Sequence, residues 1–431
     1  MPRYIDRHIT PSLLQALSDM PVVCLLGPRQ SGKSTLAKAC QAHRHYLTLD
    51  DPNQLQWAKT DPKGFIEALP DQVTIDEIQR VPELTLAIKL AVDQDRRPGR
   101  FLLTGSAHLL HLPRLADSLA GRMACLYLHP LSEAEKEACD HNFIKEWLKG
   151  NPTPHLLIQE QMKDRPLIDR VIEGGYPEAY LKAPDRARAW QRQYLHLITE
   201  RDIQDASDIS RSETSTQLLN YLAQQTATLL NVSSLANSLG LARATVEGHL
   251  RVLERLFLIR RLPAWHNNRS RRLIKTPKIH IRDSGLGAAL AGFKAPLVAS
   301  QRPLWGRLLE SFVVQQVVAL SEQITEPVSL MHYRDKDKIE VDLVVEHGLD
   351  VRGIEVKGAK TAEPKDALGL RRLAHRTGDQ FKGGLLFYDG TLTIPLDPTL
   401  GIYAVPISKL WQSPVTQTRT TSDPSPTYGR A

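Results

Sequence analysis

The chain has 431 residues, of which 42% are hydrophobic and 24% charged, and a formal net charge of +7. That length and balance describe a globular chain of about three domains, and no run approaches the ~18 apolar residues of a membrane span. The four cysteines, Cys24, Cys40, Cys125 and Cys139, form no C-x-x-C pair and have no histidine at zinc spacing, so a disulfide framework and a zinc site are both excluded.

Residues 1–10, MPRYIDRHIT, lack the apolar core of a signal peptide. A soluble, cytoplasmic chain with no membrane partner is therefore expected. The isoelectric point near 9.1 leans towards an anionic partner, although the distribution of charge decides more than its sum. Residues 11–20 read as a short helix, with Pro11 suited to its first turn.

Five apolar residues, Val22 to Leu26, then predict a buried parallel strand. Gly27-Pro28-Arg29-Gln30-Ser31-Gly32-Lys33-Ser34 follows and fits G-x-x-x-x-G-K-[ST], with a helix former after it. In that strand–loop–helix context glycines allow a tight turn whose N–H groups point at a triphosphate, and the helix N-terminus adds partial positive charge. Gly27, Pro28, Arg29, Gln30, Ser31, Gly32, Lys33, Ser34 and Thr35 are the expected cradle for ATP. Lys33 can reach the β- and γ-phosphates and the Ser34 hydroxyl can ligate Mg²⁺; Thr35, one residue on, is the poorer ligand.

Residues 45–49 predict a second strand and residues 62–69 a helix. A third strand, residues 72–75, runs into Asp76-Glu77. An apolar strand ending in two acids downstream of a P-loop reads as a Walker B element: Asp76 holds Mg²⁺ and Glu77 polarises the attacking water. The alternative is that both acids cap the helix expected at residues 81–92. Residues 100–103 form the next strand, and beyond it Thr104 and Ser106 are candidates to sense the γ-phosphate, Ser106 being equally suited to cap a helix. Arg122, before a strand at residues 124–128, could place its charge on the transferring phosphoryl group of a neighbouring subunit, or serve as a salt-bridged surface residue. A homo-oligomer would follow from the first role. Asp76-Glu77 points to hydrolysis, and no guanine-specifying N-K-x-D element is recognisable.

GPRQSGKST, TIDEIQRVPEL, LLTGSA and LAGR, in this order, resemble a prokaryotic family of AAA-like P-loop ATPases with a fused, uncharacterised C-terminal domain. EGGYPEA, YRDKDKIEVDLVVE and GIEVKGAK further along are similar to it too. The resemblance spans nearly the whole chain. It implies an α/β fold of additional-strand type, with the sensor strand between the P-loop and Walker B strands, and ATP binding with hydrolysis.

Residues 133–150 are helical in pattern, Asn151-Pro152-Thr153-Pro154 breaks them, and helices resume at residues 166–173 and 187–206. These resemble the helical lid of AAA-like proteins. Residues 213–230, 231–240 and 243–256 predict three helices, the second with a Ser cap and a Gly240 stop and the third with Val246, Leu250, Leu253 and Leu256 on one face. With strands at residues 257–261 and 278–282 this is a winged helix-turn-helix. Ten basic residues, Arg251, Arg255, Arg260, Arg261, Arg269, Arg271, Arg272, Lys275, Lys278 and Arg282, face only Glu254 within residues 251–282. Such an excess suits a DNA or RNA backbone, and equally a solvated face or a protein contact.

In the last third a helix over residues 307–320 carries Glu310, and strands follow at residues 329–333, 339–345 and 349–356. Alternation puts Glu340 and Asp342 on one face with Val341, Leu343 and Val345 opposite, and Glu355 beside Lys357 on the next strand. Glu310, Asp342 and Glu355-x-Lys357 resemble the PD-(D/E)XK nuclease site. There the carboxylates hold Mg²⁺ and the lysine positions water; the fold also serves as a binding module without cleavage. Residues 365–375 would cover the sheet, and the Ser-, Thr- and Pro-rich residues 413–431 read as a disordered tail. The expected order is an α/β P-loop NTPase core (1–135), a helical lid with insertion (136–211), a winged helix-turn-helix (212–283), a small α/β nuclease-like domain (284–412) and the tail.

Overall fold

The computed structural model describes residues 4–40, 43–105, 119–150, 165–202, 212–268, 272 and 275–413. Ser106, Arg269, Arg271 and the expected tail from residue 414 lie outside them.

Five parallel strands form the first sheet: β1 (Val22–Leu26), β2 (His45–Thr48), β3 (Val73–Asp76), β4 (Phe101–Gly105) and β5 (Met123–Tyr127), in the order β2-β3-β4-β1-β5. The strand β4 thus lies between β1, which leads into the glycine-rich loop, and β3, the strand expected to be Walker B, the place the resemblance implies. β1 is buried on both faces because helices cover both. Val22, Cys24 and Leu26 meet the helix Leu84–Gln94, while Val23 and Leu25 meet Thr10–Asp19 and the helix Lys33–Ala39.

The expected helix over residues 133–150 is two, Glu133–Lys136 and Phe143–Lys149, parted where Ala138 takes φ +51°. Phe143, Ile144, Trp147 and Leu148 do not join the nucleotide half: they pack in one cluster with the long helix Arg302–Ser321 and the C-terminal sheet. Part of the expected segment 136–211 therefore shares a core with the expected segment 284–412, because Phe143–Lys149 has an apolar face too large to leave exposed. The expected helix over residues 187–206 begins earlier, as Pro184–Leu197, and gives way to a π-turn at Ile198–Asp202.

Three helices follow, Ser212–Gln224, Val232–Leu239 and Arg243–Arg255. The first stops short of the expected residue 230 because Ala227 is left-handed, with φ +58°, and Thr228–Leu229 pairs as strand β6. The second is capped by the Asn231 carboxamide, not a serine, and Gly240 ends it with φ +63°. Strands β7 (Ile259–Leu262) and β8 (Lys278–Ile281) complete an antiparallel sheet ordered β6-β8-β7.

The C-terminal sheet has six strands: β9 (Val328–Arg334), β10 (Glu340–His347), β11 (Asp350–Lys357), β12 (Phe381–Tyr388), β13 (Ile394–Asp397) and β14 (Ile402–Pro406), ordered β13-β14-β12-β11-β10-β9. The helix Arg302–Ser321 covers one face and Leu368–Thr377 the other. A register shift between Val341 and Val344 breaks the simple alternation in β10. Val341 and Val344 pack towards Leu368–Thr377, while Leu343 and Val345 pack towards Arg302–Ser321. Val341, Leu343 and Val345 therefore do not share a face as expected, because one extra residue at a bulge reverses the count.

Candidate functional site

The P-loop leaves β1 at Gly27, where a Cβ would stand 2.3 Å from the Leu128 carbonyl oxygen. It turns through Gln30 (φ +60°) and Gly32 (φ +97°) into the helix Lys33–Ala39. Ser31 is fully buried beneath the loop and its hydroxyl donates to the Pro28 carbonyl at 2.9 Å. Arg7 braces the loop from outside the motif. Its guanidinium donates to the Ser31 carbonyl at 2.8 Å and pairs with Glu135 at 3.0 Å.

Lys33 is 5% exposed and donates to the carbonyls of Gly27 (3.1 Å) and Pro28 (2.8 Å). Burial lowers the pKa of its ammonium, and Glu77 and Asp76 pull it back up. Asp76 ends β3, nearly buried, and accepts from two hydroxyls: Tyr46 on one oxygen and Thr104 on the other. Burial and the bond to Asp76 hold the Tyr46 phenol well above its ordinary range, so it stays a donor. Glu77 is left-handed (φ +59°); its N–H reaches the Thr104 hydroxyl at 3.4 Å and its carboxylate accepts from Gln79. The two acids do not cap a helix at residues 81–92; that helix starts at Leu84, with Glu83 before it.

Above the loop lies a cleft of about 1160 Å³. Gly27, Pro28, Arg29, Gln30, Gly32, Lys33, Ser34 and Thr35 form its floor, and Glu77, Gln79 and Arg80 one wall. Pro177, Glu178, Trp190 and Ile198 come from the helices after residue 165, and Arg255, Leu256 and Phe257 from the end of Arg243–Arg255. Trp190 stacks on Tyr194 (centroids 5.1 Å, planes 19° apart), and the Tyr194 hydroxyl donates to the Arg29 carbonyl at 3.2 Å. Arg7, Tyr46 and Trp190 escaped the sequence reading because none lies in a motif, and Gln79, though inside TIDEIQRVPEL, was given no role.

Arg122 precedes β5, at the edge of the sheet opposite the P-loop: its carbonyl accepts from Val22 N–H, and its guanidinium pairs with Asp93 at 2.6 Å. It does not join the site within one chain, because five residues of strand separate the two edges.

The C-terminal set is brought together only in part. Glu310 and Asp342 meet, and between them stands Lys278 of β8. Its ammonium lies 2.7 Å from Glu310 Oε1, 3.0 Å from Asp342 Oδ1 and 3.8 Å from Glu340. Glu355 lies close enough for its carboxyl, with burial and then Asp342 as causes, to be pushed well above the usual range. Lys357 turns away and pairs with Asp366. Among the described residues no group of three or more His, Cys, Asp or Glu side chains is arranged to hold a metal.

Part of the basic segment is likewise spent inside the fold. Arg261 pairs with Glu247 and Glu254, Arg272 with Glu346, and Lys278 with the acids above. Arg282 packs over Phe257, and burial pushes its guanidinium down to about 9. Arg251 and Lys275 remain exposed.

Residues 19–136 match the model of the AAA domain family, a likeness in keeping with the P-loop and parallel sheet of that segment. Residues 164–297 and 305–410 match two domains of unknown function, DUF8612 and DUF4143. Two uncharacterised proteins, of Mycobacterium tuberculosis and Mycobacterium bovis, are 29% identical over 408 residues, 94% of this chain and 84% of theirs. A Walker-type ATPase of Pyrococcus abyssi is similar at 17% identity and a TM-score of 0.39, covering 67% of this chain and 96% of that one. A RuvB variant of Thermotoga maritima is similar at 18% identity and a TM-score of 0.30, covering 60% and 90%. No helix of the described residues is long and apolar enough to cross a membrane.

Proposed function

We propose that this chain is an ATP-hydrolysing switch whose nucleotide state is read by the helical segment and by the helix-turn-helix that close over the P-loop. One observation carries the reading: a single cleft is floored by the P-loop and walled by Trp190 and Ile198 on one side and Arg255 to Phe257 on another. A ligand filling it touches three segments at once.

The residues fit ATP with Mg²⁺. Ser34 and Asp76 offer hard oxygen donors, and the Tyr46 and Thr104 hydroxyls hold the Asp76 carboxylate in place. The metal, held there with the nucleotide, would neutralise charge on the phosphates. Lys33 exchanges the Gly27 and Pro28 carbonyls for phosphate oxygens, a charge-assisted contact stronger than the one it gives up. Glu77, positioned by Gln79, takes the proton of the in-line water, and Thr104 holds Asp76 and the Glu77 backbone in register. Arg255 is half-buried on the cleft wall and has no hydrogen bond or ion pair among the described residues. It is the cation by which the helix-turn-helix meets the phosphates.

The arrangement of β6, β7, β8 and the three preceding helices supports a winged helix-turn-helix. Three of its basic residues, Arg261, Arg272 and Lys278, are spent on internal ion pairs, which favours a protein partner over a nucleic-acid backbone. Binding to duplex and single-stranded DNA that falls steeply with salt would reverse that preference.

Nucleotide titration and phosphate release test the core of the reading. Lys33→Ala removes a charged hydrogen bond worth about 1.5–3 kcal/mol, so ATP affinity falls roughly 10- to 100-fold. Glu77→Gln keeps that affinity and loses about 10²–10⁴ in turnover. Unchanged ATP affinity in Lys33→Ala would overturn the assignment.

A further inference from the structure

Lys278 belongs by sequence to the basic segment 251–282, yet it is 2% exposed. Strand β8 carries it into the C-terminal domain and is fixed there by a buried polar chain. His280 Nδ1 shares a hydrogen bond with the Ser311 hydroxyl at 3.0 Å, Ser311 shares one with Thr226 at 2.7 Å, and Thr226 accepts from Ile281 N–H at 3.0 Å. The ammonium then sits on the oxygens of Glu310 and Asp342 that a divalent ion would take. Mg²⁺ binds oxygen at about 2.0–2.1 Å, so an ion between these two carboxylates would overlap the Lys278 nitrogen. The second Asp342 oxygen already accepts from Val356 N–H at 3.0 Å.

We infer that Lys278 is the resident cation of the Glu310–Asp342–Glu355 cluster, and that a divalent metal and strand β8 exclude one another there. The helix-turn-helix, through β8, thereby keeps the carboxylates of the C-terminal domain closed to metal. Two observations show a cluster still short of positive charge. One ammonium faces three half-buried carboxyls, and desolvation pushes Glu310 well above its usual range. His280 Nε2, buried and without a hydrogen bond among the described residues, stands 3.9 Å from Glu310 Oε1. A cation admitted to this pocket would find a lone pair as well as oxygens.

The test uses the full chain without nucleotide, so that failure of ATP to bind would leave it unaffected. Mn²⁺ binding is followed by electron paramagnetic resonance in the wild type, Asp342→Asn, Lys278→Met and Lys278→Met/Asp342→Asn. Wild type and Asp342→Asn are expected to bind alike. Lys278→Met is expected to gain one Mn²⁺ about tenfold or more tighter than any wild-type site, and the double variant to lose it. Wild-type Mn²⁺ binding that Asp342→Asn abolishes would overturn the inference, as would a folded Lys278→Met that gains none. Should Lys278→Met not fold, amine acetylation of the wild type decides. Lys278 should react about tenfold or more slowly than the exposed Lys365, and millimolar Mn²⁺ should leave its rate unchanged. Equal rates, or acceleration by Mn²⁺, would sink the claim.

Discussion

Trp190 is the residue on which the nucleotide reading can be separated into phosphate and base. It lines the cleft with its ring supported by Tyr194 and Tyr176, and Tyr194 is tied to the P-loop at Arg29. A rigid aromatic face held at a fixed place above the phosphates suits stacking with a purine. Stacking of a base on an aromatic side chain is worth about 1–3 kcal/mol. Trp190→Ala should therefore weaken ATP about 5- to 100-fold while leaving tripolyphosphate affinity as it was, and Trp190→Phe should restore most of the loss. Competition titration against a fluorescent nucleotide reads both. Equal losses for ATP and tripolyphosphate would place the effect in the loop and not at the base.

At the scale of elements, the helix Leu368–Thr377 reaches the sheet at Gly369. A Cβ there would stand 2.0 Å from the Glu340 carbonyl oxygen and 2.3 Å from Glu355 Oε1. The first neighbour is backbone and cannot give way, and the second is half-buried. Gly369→Ala should cost about 1–3 kcal/mol by overpacking, seen as a lower urea midpoint with an unchanged slope. The elements themselves were largely readable. Val22–Leu26 announced itself by five apolar residues before a glycine loop, and Glu340–His347 by its alternation. What escaped has physical reasons. Two-residue β6 carries too little pattern to be seen, and the stop at Ala227 depends on Thr226 finding Ser311, 85 residues away. The bulge in β10 defeats an alternation rule that assumes one residue per step. Lys278 could not be assigned at all from its neighbours, because its partners lie 32 and 64 residues on. The P-loop was legible because its chemistry is local; the carboxylates Glu310, Asp342 and Glu355 were legible by their order, but the lysine among them was not, because β8 brings it from outside that segment.

For the whole molecule the buried histidines set a measurable acid limit. His129 and His332 are both held down to about 4, in each case chiefly by burial. Lys278 adds to the effect at His332, whereas Glu322, 3.6 Å from His129, opposes it without prevailing. In the unfolded chain each would titrate near 6.5. Between those values the unfolded state binds protons that the folded state refuses, so stability falls as pH drops through 6.5 and the loss levels off below about 4. A shift from 6.5 to about 4 corresponds to about 3 kcal/mol per histidine at the acid end. Many carboxylates titrate over the same interval, so the informative quantity is a difference. Urea unfolding of the wild type and of His129→Gln should be compared between about pH 7.5 and 4.5. The variant, lacking the proton-refusing ring, should lose less stability on acidification, with the two curves converging as pH falls. Parallel curves across that range would mean that His129 protonates in the folded state as readily as in the unfolded one, and that its burial beside β5 and the helix Arg302–Ser321 is not the penalty the fold implies.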